Sequence, residues 1–186
     1  MKATDIKAIV KTALSLFIIC AVAAGILAAV NMITAPMIEE NNLKNAEAAR
    51  LLVLPDATGG FTEKTDKNGN TYFIGSDGSA DVGYVFTTSA AGYGGQIEIM
   101  TGINTEGTVT GISILSINET PGLGMNAKKE SFLSQYVGND GPFTVIKNAT
   151  AAENEINAMT SATITTNAVT KAVNEAIGLF DSVKEG

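Results

Sequence analysis

Residues Thr12 to Ile38 run for 27 positions without a charge, and within them Ala13 to Ile33 is a 21-residue stretch whose polar members are Ser15 and Asn31. At 1.5 Å per residue such a stretch makes about 31 Å of helix, the thickness of a bilayer's hydrocarbon core, and predicts a membrane-spanning helix over 12–36. Past the span, Pro36 stands where a helix start tolerates it, Ile38–Leu54 reads as a polar helix closed by Pro55, and 56–70 is loop by composition. Strands follow at Thr71–Ile74 and Asp81–Thr88. After a joint at Gly92-Tyr93-Gly94-Gly95, Ile97, Ile99, Thr101 and Ile103 alternate with Gln96, Glu98, Met100 and Gly102, the period of a half-buried strand. Asn104–Gly107 is a turn and Thr108–Ile117 the return strand of a hairpin. Residues 127–137 read as helical and Phe143–Ile146 as a short strand. The chain closes in an amphipathic helix on which Val169, Ala172, Val173, Ala176, Ile177 and Phe180 form one apolar face. Phe86, Phe132 and Phe180 are expected in the core.

Lys2, Lys7 and Lys11 with Ala23, Ala24, Ala28 and Ala29 also admit a cleaved secretory signal, but a signal's apolar core is shorter than this span, which favours an uncleaved anchor. Cys20 lies mid-span behind Ile19, where lipoprotein processing needs a small residue, and reads as a small hydrophobe. The lysine-rich flank predicts a cytoplasmic stub over 1–11 and an extracytoplasmic remainder. Residues 39–186 carry 9 basic and 18 acidic side chains, a net −9 against −7 for the whole chain, so nucleic acid is excluded as a partner. With no His and one Cys, the chain builds no imidazole metal site, no Ser-His-Asp triad, no thiolate cluster and no internal disulfide. No catalytic residue and no metal-ligand set emerge. What remains is carboxylate or hydroxyl chemistry, binding, or an organic cofactor that carries the chemistry.

Two segments are candidates for such a site. Glu119-Thr120-Pro121-Gly122-Leu123-Gly124 is a breaker run whose glycines admit close approach of a ligand. Alone it also reads as structure, with Glu119 a solvated strand end, Thr120 and Pro121 a turn and Leu123 core packing; Tyr93 suits either ring stacking or the hydrophobic layer. Asn157–Thr166 carries five hydroxyls just before the last helix. It suits an anion at a helix N-terminus, and equally a plain N-cap.

Asn157 to Thr165 resembles the flavinylation motif of the FMN-binding domain family: an acidic residue, two looser positions, Ser/Thr-Gly-Ala-Thr, one free position and a final Thr or Ser. Ala162-Thr163 keeps the Ala-Thr core and Thr160 the preceding hydroxyl, while Asn157 replaces the acid and Ser161 the Gly. The Gly92–Gly95 joint, the hairpin, the Glu119–Gly124 run, Ile33-Thr34-Ala35-Pro36 and Leu54-Pro55 together resemble the G subunit of Rnf electron-transport complexes. The resemblance implies an α+β fold: a single transmembrane helix, connecting helix and loop over 37–70, and one extracytoplasmic FMN-binding domain over 71–186 with an antiparallel sheet flanked by helices. It implies FMN held by a phosphoester on Thr165 and installed by a flavin transferase, with Thr166 in reserve. Ser161, Thr163 and the helix N-terminus would then cradle the phosphate, Thr160 and Ala162 would also belong to the cofactor site, and the loop of Glu119, Thr120, Gly122, Leu123 and Gly124 would line the isoalloxazine, with Thr120 and Leu123 in direct contact. The protein would relay electrons inside an ion-translocating ferredoxin:NAD oxidoreductase, partnered by membrane and soluble subunits and by lipid, and would catalyse nothing alone. The related C subunit of sodium-translocating NADH:quinone reductase is the nearer alternative. A membrane-anchored binding module for another phosphorylated ligand, or an assembly subunit without cofactor, is the alternative of another class.

Overall fold

The computed structural model describes residues 3–147 and 150–184, which fall into two compact units divided after Lys44. The first unit is helical. Helix α1 (Ala3–Val53) runs unbroken for 51 residues and is, among the described residues, the one helix long and apolar enough to cross a membrane. Its side chains from Leu14 to Met32 stand exposed, Phe17 and Leu27 at 70% each, as a lipid-facing surface requires. The expected second helix over 38–54 is therefore no separate element. Pro36 lies inside α1 and removes one i→i−4 hydrogen bond, a local loss that the ladder on either side bridges. Of the stub 1–11, residues 3–11 open this helix; Lys2 lies outside the described residues.

The second unit holds a five-stranded antiparallel meander in the order β1 (Gly60–Thr65), β2 (Thr71–Ser76), β3 (Asp81–Ala91), β4 (Gln96–Asn104) and β5 (Val109–Ser116). β1 corrects the expectation of a loop over 56–70. It is an edge strand exposed at all but Phe61, so no alternating apolar pattern betrays it. The turn chemistry is confined to Asp66–Asn70, where Asp66 Oδ1 accepts the N–H groups of Asn68 and Asn70, both at 2.8 Å.

One face of the sheet packs on α3 (Thr163–Lys184), whose Val169, Ala172, Val173 and Ala176 are fully buried against Phe86, Ile97, Ile99 and Ile103. Thr88 donates its hydroxyl to the Ala172 carbonyl at 2.8 Å, tying helix to sheet. The other face packs on the end of α1 and the residue beyond it: Ala49, Val53 and Leu54 meet Val85 and Met100. That second cover explains why Met100 and Gly102, expected on an open face, are buried. Gly102 has no Cβ because the Val53 carbonyl occupies that space, and Thr110 donates its hydroxyl to the same carbonyl. The Arg50 guanidinium lies 3.7 Å from the Phe73 ring centroid, fixing the same turn to the sheet. The compact unit thus starts at Asn45, ahead of the 71–186 boundary read from the strands.

After β5 the chain makes a 3-10 helix (Gly124–Lys128) and one turn of helix, α2 (Glu130–Leu133), in place of the continuous helix expected over 127–137. β6 (Thr144–Ile146) then pairs in parallel with β7 (Glu155–Asn157), a strand too short to carry its own pattern.

Candidate functional site

The Gly92–Gly95 joint between β3 and β4, the segment after β5 and the start of α3 meet at one end of the sheet. Glu119 makes the junction. It is 7% exposed, and its Oε1 accepts the N–H of Tyr93 at 2.7 Å and of Gly94 at 3.2 Å. A buried carboxylate needs such charge-assisted partners, and this one spends them on pinning the joint to the following loop. Gly124 sits where a Cβ would lie 2.6 Å from Glu119 Oε2 and 2.8 Å from Thr165 Oγ1, so the absence of a side chain there lets the loop close on α3. Glu119 is neither solvated nor a simple strand end.

Around this junction lies a cavity of about 510 Å³ lined by Tyr93, Glu119, Thr120, Leu123 and Gly124 from one side and by 161–165 from the other. That is a size usual for small-molecule and cofactor sites. Eight of the ten residues singled out from sequence line it: Glu119, Thr120, Leu123, Gly124, Ser161, Ala162, Thr163 and Thr165. Thr160 and Gly122 are outside the lining. Tyr93 and Ile164 are in it. Tyr93 is 71% exposed, which rules out the hydrophobic layer, and Leu123 at 41% is not core either. Ile164, 55% exposed, holds the motif's free position, where sequence offers no chemical signal. Tyr93, Leu123 and Ile164 give the mouth an apolar rim.

The hydroxyl segment divides sharply. Thr163–Thr166 form the first turn of α3 rather than a loop before it. Ser161, in the preceding turn, has φ +60°, a left-handed conformation that favours glycine, the residue the flavinylation pattern places there. Thr165 is 1% exposed as a residue, faces the cavity, and its hydroxyl makes no hydrogen bond among the described residues. Thr166 is wholly buried and fully engaged: its hydroxyl donates to the Ala162 carbonyl at 3.0 Å and accepts the Met159 N–H at 3.1 Å. Asn157, the residue standing for the motif's acid, ends β7, and its N–H donates to Gln135 Oε1 at 2.8 Å.

Electrostatically the cavity is unusual for a phosphate-bearing ligand. Among the described residues its one charged lining residue is Glu119, and neither Lys nor Arg lines it. The groups there with the chemistry to hold an anion are the N–H groups at the start of α3 and the hydroxyls of Ser161, Thr163 and Thr165. The residues present fit FMN in kind: an apolar rim for a ring system, a glycine-opened cradle, and an uncommitted hydroxyl beside a helix N-terminus.

The class of protein to which this sheet-and-helix domain belongs is that of the FMN-binding domains. The FMN-binding domain family matches residues 92–178, and the crystal structure of NqrC from Shewanella oneidensis shares the fold, with a TM-score of 0.56 over 74% of each chain at 19% identity. More particularly, the chain belongs to the RnfG family. The RnfG N-terminal region matches residues 1–52. The G subunit of the Na(+)-translocating ferredoxin:NAD(+) oxidoreductase complex of Acetobacterium woodii is 36% identical over 97% of this chain and 96% of its own length. The G subunit of the proton-translocating ferredoxin:NAD(+) oxidoreductase complex of Clostridium ljungdahlii is 37% identical over 88% and 86%. The chain is thus a membrane-anchored member of that family with one FMN-binding domain.

Proposed function

We propose that this chain is the electron-carrying G subunit of a membrane-bound, ion-translocating ferredoxin:NAD oxidoreductase complex, holding FMN through a phosphoester on Thr165. The observation that carries the reading is the contrast between two neighbouring threonines, one lining the cavity with a hydroxyl that makes no hydrogen bond among the described residues and the next consumed by two hydrogen bonds. An ester to Thr165 would retain the phosphate beside Glu119 regardless of non-covalent affinity. Bound FMN supplies the one- and two-electron carrier chemistry that this His-free, Trp-free chain lacks. The protein's share is positional. Thr163, Ser161 and the α3 N–H groups would hold the phosphate. Tyr93, Leu123, Ile164 and Thr120 would hold the ring system, and Glu119 fixes the loop that lines this side of the cavity.

The two relatives differ in the ion named, sodium in one and the proton in the other, so ion translocation is proposed here without a choice of ion. Partners would be the other membrane and soluble subunits, lipid around α1, and a flavin transferase during maturation. The basic flank of α1 supports a cytoplasmic N-terminus and an extracytoplasmic flavin domain. The G-type relatives match nearly the whole chain, which favours this reading over a C-type component of a sodium-translocating NADH:quinone reductase, where likeness is one of fold. A denaturing gel of protein co-produced with a flavin transferase tests it, because esterified flavin stays fluorescent through unfolding. A fluorescent band is expected; a dark band contradicts the reading.

A further inference from the structure

Adjacent residues on an α-helix project about 100° apart, so Thr165 and Thr166 cannot present their hydroxyls to the same space. Which of them faces the cavity is decided by how the first turn of α3 is rotated and anchored. Thr166 provides that anchor. Its hydroxyl reaches back to both ends of the turn that precedes the helix, accepting from the Met159 N–H at 3.1 Å and donating to the Ala162 carbonyl at 3.0 Å. The left-handed Ser161 lies between those two ends. The anchor continues inward: the Thr170 hydroxyl donates to the Thr166 carbonyl at 2.9 Å and lies 2.8 Å from the Tyr136 hydroxyl. Since the Thr170 proton is engaged with Thr166, Tyr136 is the donor in that pair. All three side chains are buried, Tyr136 and Thr166 completely.

We infer that Thr166, backed by Thr170 and Tyr136, is a positioning residue that selects Thr165 as the flavin-bearing hydroxyl by locking the turn around Ser161. The inference rests on the reading of Thr165 as the attachment site and adds the reason for that choice. Thr166 does not line the cavity. It withdraws its own hydroxyl from competition and holds Ser161, Thr163 and Thr165 along one wall of the cavity. Loss of its hydroxyl leaves the Met159 N–H without its partner and frees the left-handed turn to relax.

The test uses the full chain in detergent, prepared without flavin and incubated with purified flavin transferase and FAD. In the transfer, the Thr165 Oγ1–phosphorus bond forms as the phosphoanhydride of FAD breaks, and the hydroxyl proton leaves with AMP. Attachment rate is followed by in-gel fluorescence and the attachment site by peptide mass mapping. Thr166→Val is expected to slow attachment at Thr165 about five-fold, the equivalent of one buried hydrogen bond. Thr166→Ser, which restores the hydroxyl, is expected to return to the wild-type rate. Equal thermal midpoints for the two variants would separate positioning from general stability. If Thr166→Val melts without cooperativity, Thr170→Val replaces it, with about a two-fold slowing expected from the weakened anchor. A wild-type rate in the Val variant, or no rescue by Ser, overturns the inference while leaving Thr165 in place. Wild-type ester mapped to Thr166, or flavin retained by Thr165→Val, overturns the underlying assignment itself.

Discussion

The carboxylate of Glu119 accepts the backbone N–H of Tyr93 at 2.7 Å across 26 residues of sequence. This bond joins the glycine joint of the β3–β4 hairpin to the loop after β5, two segments that sequence shows only as separate turns. Between that carboxylate and Thr165 there is room for Gly124 and no larger residue. Gly124→Ala is therefore expected to lower stability by about 1–3 kcal/mol, the usual cost of overpacking, and to impair flavin attachment. Chemical unfolding of the flavin-free protein measures the first effect and gel fluorescence the second. Wild-type values for both would mean that the loop does not close on α3 as described.

Ser161 gives a prediction of opposite sign. A left-handed non-glycine residue is strained, and glycine at φ +60° removes that strain while adding some unfolded-state freedom. Ser161→Gly should gain about 0.5–1 kcal/mol. The gain should show as a raised urea midpoint at unchanged slope, with flavin attachment retained. A lowered midpoint would mean that the Ser161 side chain contributes more than its backbone costs.

Thr101 lies in the middle of β4, opposite Phe86 and Ile112, fully buried, and its hydroxyl finds no partner among the described residues. An unpaired buried hydroxyl is a net cost, so Thr101→Val should stabilise the domain by about 1 kcal/mol and leave attachment untouched. The thermal midpoint decides this, and a drop in it would reveal a partner for the hydroxyl.

Tyr136 adds a pH dependence. Burial pushes its phenol well above the ordinary value of 10. A group whose folded value is raised contributes stability that is complete below its unfolded value and is lost as pH climbs towards the folded one. Stability should therefore decline above about pH 10. Tyr136→Phe should flatten that decline, as followed by circular dichroism along an alkaline titration. An equally steep decline in the variant would place the sensitive group elsewhere.

Much of the architecture was legible because burial imposes periodicity. The alternation from Ile97 to Ile103 and the apolar face from Val169 to Phe180 mark the strand and helix that share the main core. β1 was not legible, since an exposed edge strand has no buried face to pattern it, and Pro36 misled because a single missing hydrogen bond does not end a long helix. At the site, motif resemblance pointed to the segment that lines the cavity, but the hydrogen bonds of Glu119 and Thr166 are contacts between segments distant in sequence or across a turn. Those depend on tertiary geometry, as does the exposure of Tyr93 and Ile164.

Thr165 remains the central claim, and its environment makes the test unusually clean. Its hydroxyl supports no hydrogen bond among the described residues, so Thr165→Val removes the proposed attachment hydroxyl without removing a hydrogen bond. The decisive measurement is the intact mass of the full chain co-produced with a flavin transferase, taken for wild type and Thr165→Val alongside their thermal midpoints. The account predicts a wild-type chain heavier by one FMN less one water, an unmodified variant, and flavin-free forms that melt together. A variant that still carries the flavin mass, or a wild-type chain without it, would contradict the account.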